Sequence, residues 1–173
     1  ALMRTVLHNA KIVIDQPYDY TARAEIMWAG SLAHNGLTGC GRTGDWASHQ
    51  LEHELSGMFD VAHGAGLAAI WSSWARYVYQ ADAERFARFA VQVMGISEQS
   101  QTREELALEG ISAMERFYHQ IGMPVSVSEL GILLTEEQCR QLAYHCSFEG
   151  TRSIGGFRTL NQSDMEQIYK SAR

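Results

Sequence analysis

The chain has 173 residues, 46% hydrophobic and 20% charged, a balance typical of one globular domain with a sizeable core rather than of a disordered segment. Its net charge of −6 argues against a nucleic acid as the main partner, and its apolar runs are too short to span a membrane. Three cysteines without metal-ligand spacing indicate free thiols and therefore a reducing, cytoplasmic environment.

Two amphipathic helices open the chain. Apolar residues recur at helical spacing over residues 1–15, and Pro17 ends that pattern. Asp19 or Thr21 can cap the second helix, because either side chain can accept from the free amides of a first turn. That helix ends before Gly36, where a glycine-punctuated loop begins. No strand pattern precedes the loop, so a dinucleotide-binding loop is not indicated.

Three of the seven histidines fall in the segment from His49 to His63. Asp45 is predicted to cap a helix that carries His49 and His53, and these two share one face because they are four residues apart. Gly57 weakens that helix, and a second helix is expected to begin at His63. The three imidazoles can therefore converge on one point.

This cluster has two interpretations. Imidazole is a common ligand of iron, zinc, nickel and copper, and a catalytic zinc site takes three protein ligands and keeps one position open. A pair of histidines four residues apart is, by itself, equally well explained as a polar helix face. The third histidine after the turn favours a metal or catalytic site. The residues after His53 do not match a metalloprotease motif.

The next part of the chain is also helical in pattern. An apolar helix over about 63–80 is predicted to be central and buried, with Trp71 and Trp74 in the core rather than forming a stacking platform. Asp82 begins the following helix, and a polar loop over 97–101 separates it from the next. Two capping boxes are predicted to begin further helices, Thr102–Glu105 and Thr135–Gln138.

The C-terminal part ends with a looped tail over 151–160 and a last helix that Asn161 caps. Cys139 and Cys146 are seven residues apart on one helix face and are expected to be buried free thiols. Alternating strand patterns are almost absent and the chain has only two prolines. An all-α domain of seven or eight helices is therefore predicted.

The histidine-rich segment reads Asp45-Trp-Ala-Ser-His49-Gln-Leu-Glu-His53-Glu-Leu-Ser-Gly57 and then Val-Ala-His63-Gly64. It resembles the signature of the iron-containing (group III, metal-dependent) alcohol dehydrogenases, in the butanol dehydrogenase and aldehyde reductase branch. Two further segments are similar to that branch, Arg23-Ala-Glu-Ile-Met-Trp-Ala-Gly30 and Ile154-Gly-Gly-Phe157. The resemblance covers nearly the whole chain.

The resemblance implies a dehydroquinate-synthase-like C-terminal helical domain next to an N-terminal domain that binds NAD or NADP. A divalent metal (iron, zinc or nickel) lies between the two and is held by one aspartate and three histidines. By this resemblance, His49 and His63 are the last two of those ligands. His53 does not bind the metal but points into the cleft, near the nicotinamide and the substrate, in a catalytic and cofactor-binding role.

The same resemblance implies a small alcohol or aldehyde substrate, a homodimer and a cytoplasmic protein. The first two metal ligands, an aspartate and a histidine four residues apart, and the dinucleotide-binding domain have no counterpart in residues 1–173. We therefore expect this chain to be the C-terminal metal-binding domain alone, incomplete as a catalyst. The alternative is a non-catalytic helical fragment that binds metal or associates with itself.

Overall fold

The computed structural model describes residues 1–99 and 101–173, and within these ranges the chain forms eight α-helices. They are α1 (Leu2–Asp15), α2 (Tyr20–His34), α3 (Ala47–Phe59), α4 (His63–Val78), α5 (Ala83–Gln92), α6 (Arg103–Gln120), α7 (Glu136–Cys146) and α8 (Gln162–Ser171). An isolated β-bridge joins Ile154 and Leu160 in the tail. The predicted all-α fold is confirmed. Ser100, in the polar loop expected over 97–101, lies outside the described residues.

Side-chain caps fix where most of these helices begin. At α2, Asp19 rather than Thr21 accepts a hydrogen bond from the amide of Ala22. At α5, Asp82 accepts from the amide of Arg85. Complete capping boxes begin α6, α7 and α8, at Thr102–Glu105, Thr135–Gln138 and Asn161–Asp164. Both predicted capping boxes and the caps at Asp82 and Asn161 are confirmed, because each depends on contacts between near neighbours in sequence.

The start of α3 differs from the prediction. The helix begins at Ala47, and Trp46 rather than Asp45 occupies the N-cap position. Asp45 Oδ1 accepts from the Ala47 amide at 2.8 Å, while its Oδ2 accepts from the amides of Gly156 and Phe157 at 2.9 and 2.6 Å. The prediction of Asp45 as the N-cap was therefore wrong by one position. The carboxylate instead joins the start of α3 to the C-terminal tail.

The core lies where α3, α4, α7 and α8 meet. Helix α4 is central to it, as predicted: Ile70 and Ala75 are fully buried, and Trp74 is 9% exposed. Trp71 is partly buried against the same cluster, so both tryptophans belong to the core. Although α4 is apolar, neither it nor another helix in the described ranges has the combined length and hydropathy that crossing a bilayer requires.

The three cysteines differ in accessibility. Cys40 is exposed, whereas Cys139 and Cys146 are buried free thiols, as their spacing predicted. Burial raises the pKa of the Cys146 thiol to about 11, and burial also raises the pKa of Cys139. At about pH 8 the ionised fraction of Cys146 is therefore about 100-fold smaller than that of a thiol with an ordinary pKa. Because the thiolate is the nucleophile, the reactivity of Cys146 falls by a similar factor.

This difference predicts the labelling pattern of the native chain. With iodoacetamide at about pH 8 we expect rapid alkylation of Cys40 alone, and alkylation of all three thiols after denaturation. Mass spectrometry of the intact chain and of its peptides measures both. The Cys40→Ser variant is the control and should show almost no rapid labelling. Rapid native labelling of Cys146 would contradict the packing of α7.

Candidate metal centre

Helices α3 and α4 bring the three histidines of the predicted cluster together. His49 and His53 lie one turn apart on α3, and His63 is the first residue of α4. The ring centroid of His63 is 5.5 Å from that of His49 and 5.5 Å from that of His53, and the two α3 rings are 6.4 Å apart. The structure thus places the three imidazoles around one point, as their spacing predicted.

A tight reversal between the helices produces this convergence. Gly57 does not end α3, which continues to Phe59. Asp60 then adopts the left-handed conformation, with φ of 53°, and its amide donates to the carbonyl of Ser56. Only three residues separate α3 from His63, so the first turn of α4 lies beside the face of α3 that carries the other two histidines.

The environment of His49 favours its neutral form. The ring is half-buried and meets the ring of Trp46 edge to face, with centroids 5.1 Å apart. Burial lowers the pKa of His49, and charge on His63 and His53 lowers it further. A metal-binding imidazole must be neutral at the nitrogen that binds, so this environment suits a ligand.

Glu52 is a functional residue that the sequence analysis missed. It is fully buried on α3, and its Oε2 accepts a hydrogen bond from Nδ1 of His63. One signal was available: Glu52 lies next to Leu51 and one turn from Leu55, both fully buried, and so falls on the inner face of the helix. Whether an acid on that edge is buried depends on the neighbouring helix, which local sequence does not specify.

The geometry also offers a ligand set that differs from the one the resemblance implies. Ligand atoms of Glu52, His53 and His63 all lie within 4.8 Å of one another, and His49 is outside this set. Both oxygens of Glu52, however, already accept hydrogen bonds, from His63 Nδ1 and from Ser56 Oγ. The carboxylate is also fully buried, whereas His53 and His63 are exposed and His49 is half-buried, so the three imidazoles are the donors more open to a metal.

His49 and His53 line an open pocket of about 440 Å³. Its other wall comes from the segment after α7, where the Arg152 guanidinium lies 3.6 Å from the centroid of the Phe148 ring. Arg152 also donates to the carbonyl of Cys146 at 2.6 Å, which orients the side chain. Phe148 and Arg152 were missed because they reach the histidines through tertiary packing alone. The pocket is wide enough for a small organic substrate beside the imidazoles.

These residues fit a divalent metal. Three nitrogen donors converge, His53 and His63 are exposed, and a buried carboxylate holds one of the rings. Histidine with a carboxylate partner is the arrangement commonly found around zinc and related ions. The described residues thus provide donors on one side of a metal and an open pocket beside them.

Comparison with known proteins shows the family of the chain. The protein-family model described as "Fe-containing alcohol dehydrogenase family, C-terminal" matches residues 1–173. The probable NADH-dependent butanol dehydrogenase 1 of Bacillus subtilis is 34% identical over 172 residues, which are 99% of this chain and 43% of that protein. The NADPH-dependent aldehyde reductase YqhD of Escherichia coli is 28% identical over 172 residues, again 99% of this chain and 43% of that protein.

Solved structures give the same result. NADH-dependent butanol dehydrogenase A from Thermotoga maritima superposes with a TM-score of 0.89 and 35% identity, over 99% of this chain and 44% of that one. The substrate- and cofactor-free aldehyde reductase YqhD from E. coli superposes with a TM-score of 0.91 and 27% identity, over the same shares of the two chains. The chain thus spans less than half the length of these relatives.

Proposed function

The chain belongs to the Fe-containing alcohol dehydrogenase family, as its C-terminal domain in the butanol dehydrogenase and aldehyde reductase branch, and on this premise we propose that it forms the metal-binding half of an NAD(P)-linked alcohol dehydrogenase. The enzyme would interconvert small primary alcohols and aldehydes. A separate dinucleotide-binding domain would hold most of the NAD or NADP. The chain alone would be incomplete as a catalyst.

The convergence of three imidazoles beside an open pocket is the observation that carries this proposal. A polar helix face, the simpler explanation of the two α3 histidines, does not require a third ring at 5.5 Å from each. Nor does it require a fully buried carboxylate bonded to that third ring. Relatives that are about one third identical to this chain over the matched residues are named as butanol dehydrogenases, which supports the substrate class.

We assign His49 and His63 as metal ligands and His53 as the residue that faces the reacting groups. A bound divalent ion, whether iron, zinc or nickel, supplies Lewis acidity toward the substrate oxygen during hydride exchange with the nicotinamide. His53 would accept or release the alcohol proton at a ring nitrogen, since it lines the pocket and is exposed. Trp46 and Phe148 line the same pocket and would provide apolar contacts to the substrate.

Zinc titration of the purified chain tests the assignment. We expect one zinc ion per chain, bound weakly because two of four ligands are supplied, and an affinity at least about 10-fold lower in His49→Ala. In His53→Ala the affinity should stay within about twofold of the starting chain, which is about 0.4 kcal/mol. The exposed His119, on α6, provides a matched control as His119→Ala. Isothermal titration calorimetry measures all four.

The two α3 variants separate the two possible ligand sets. If His53→Ala loses zinc and His49→Ala keeps it, the ligands are Glu52, His53 and His63, and the assigned roles are wrong. If His49→Ala, His53→Ala and His119→Ala all bind zinc like the starting chain, the cluster is not a metal site. In the complete enzyme, His53→Ala should lower turnover by about 100-fold or more while metal content is unchanged.

A second candidate function is self-association of a non-catalytic helical module. An apolar groove of about 550 Å³ runs between α1, α2, α4 and α6. On α2, Met27 and Trp28 lie in sequence between residues that line this groove, and they are 74% and 64% exposed. Apolar surface of this extent is often covered by a partner, and a homodimer is one such arrangement. Light scattering after size exclusion separates the candidates: a dimer without zinc binding favours association alone.

A further inference from the structure

Glu52 is buried in a way that carboxylates seldom are. Its exposed fraction is 0%, and among the described residues it is the single buried side chain of the Asp, Glu, His, Lys and Arg types. Carboxylates are almost never fully buried unless they are paired, because removing charge from water is costly. Its position on the inner face of α3 therefore requires hydrogen-bond partners for both carboxylate oxygens.

Both carboxylate oxygens have such partners. Oε2 accepts from Nδ1 of His63, and Oε1 accepts from the Oγ of Ser56. The same Ser56 hydroxyl lies 3.3 Å from the carbonyl of Val61, in the short turn that leads to His63. An ionised Glu52 can only accept, so its contact with Nδ1 places a ring proton of His63 on Nδ1, and in the neutral ring Nε2 then carries the free lone pair.

The space for Glu52 depends on one glycine of α4. A Cβ at Gly66 would stand 2.5 Å from Oε1 of Glu52 and 2.9 Å from its Cγ. Those distances are far below van der Waals contact, so even alanine would displace the carboxylate from its partners. The acid on α3 and the glycine on α4 thus form a matched pair, and the closeness of the two helices beside the histidines depends on it.

We propose that Glu52, accommodated by Gly66, is a positioning residue that fixes the Nδ1–H tautomer and the orientation of His63 and thereby presents Nε2 to the metal. The metal part of this statement rests on the proposed function. The tautomer does not, because it is argued from the contact between His63 Nδ1 and an ionised Glu52 alone. Partners of this kind commonly strengthen metal binding by about 10–100-fold.

Direct metal binding by Glu52 is the competing explanation. Its oxygen does lie within 4.8 Å of ligand atoms on His53 and His63. The side chain is nevertheless fully buried, whereas the side chain of His63 is 52% exposed. A metal that arrived from solvent would meet the exposed imidazole of His63 before the buried carboxylate, so Glu52 acts through His63.

Nitrogen-15 NMR of the imidazoles, in the metal-free chain at about pH 8, reads the tautomer directly. We expect the proton of His63 on Nδ1 in the starting chain, and a mixture dominated by the Nε2–H form in Glu52→Ala. Zinc affinity should fall about 10–100-fold in Glu52→Ala and recover in part in Glu52→Gln, whose amide oxygen can accept the same hydrogen bond. Glu104→Gln, an exposed acid on α6, is the control and should change neither quantity.

The outcomes distinguish this inference from the proposed function. If the spectrum of the starting chain shows the His63 proton on Nε2, the positioning role is wrong. This measurement requires no variant. An unchanged tautomer in folded Glu52→Ala also overturns it, whereas Glu52→Gln should keep the Nδ1–H form because its amide oxygen can accept the same hydrogen bond. An Nδ1–H tautomer that disappears in Glu52→Ala, in a chain that binds no zinc, supports the positioning of His63 and counts against the metal site. Circular dichroism establishes that each variant is folded.

Discussion

Tyr169→Ala is expected to lower the free energy of unfolding by about 3–5 kcal/mol, the range found when a large buried aromatic side chain is truncated. Tyr169 on α8 is fully buried, and its hydroxyl donates to the carbonyl of Leu51 on α3 at 2.7 Å. The variant would leave both a cavity and an acceptor without its donor. Since domains of this size are typically stable by about 5–15 kcal/mol, this loss is a large fraction of the total.

Urea unfolding followed by circular dichroism measures the effect. Tyr169→Phe removes only the hydroxyl, so we expect a smaller loss of about 1–2 kcal/mol. Tyr18→Ala is the matched control, because Tyr18 is 96% exposed and its truncation should change stability by less than about 0.5 kcal/mol. If Tyr169→Ala unfolds at the same urea concentration as Tyr18→Ala, the side chain of Tyr169 is not buried in the core.

Features that depend on neighbours in sequence were predictable. The capping box at Thr102 joins residues three apart, and the box at Thr135 does the same, so the starts of α6 and α7 follow from local chemistry. The burial of α4 was predictable because nearly every residue on it is small or apolar. Three histidines around one turn were likewise sufficient to predict that their rings meet.

Features that depend on distant parts of the chain were not predictable. Asp45 binds the amide of Phe157, 112 residues later, and this contact places it one residue before the N-cap. Nothing in the local sequence distinguishes Glu52 from an ordinary polar residue of a helix. Its burial depends on α4, where Gly66 leaves room for the side chain. Phe148 reaches the histidine pocket only because α7 packs against α3. Periodicity gives the faces of a helix but not the partner of each face.

His63→Ala is expected to cause the largest loss of metal binding in the cluster. The variant removes a proposed ligand and also separates Glu52 from the site it supports. We expect the zinc affinity to fall by more than about 100-fold, beyond the 10–100-fold typical for loss of a supporting partner alone. Stability should fall as well, by about 1–3 kcal/mol, because Oε2 of a fully buried carboxylate loses its donor.

A double variant separates these two effects. In Glu52→Gln with His63→Ala the buried charge is gone, so part of the lost stability should return while zinc affinity stays low. Calorimetric titration and urea unfolding of the starting chain, Glu52→Gln, His63→Ala and the double variant form a thermodynamic cycle that gives the coupling between Glu52 and His63. Because the two side chains are in direct contact, the coupling should exceed about 0.5 kcal/mol. Additive losses of stability would mean that the carboxylate and the ring are independent, and the buried acid would then need another explanation.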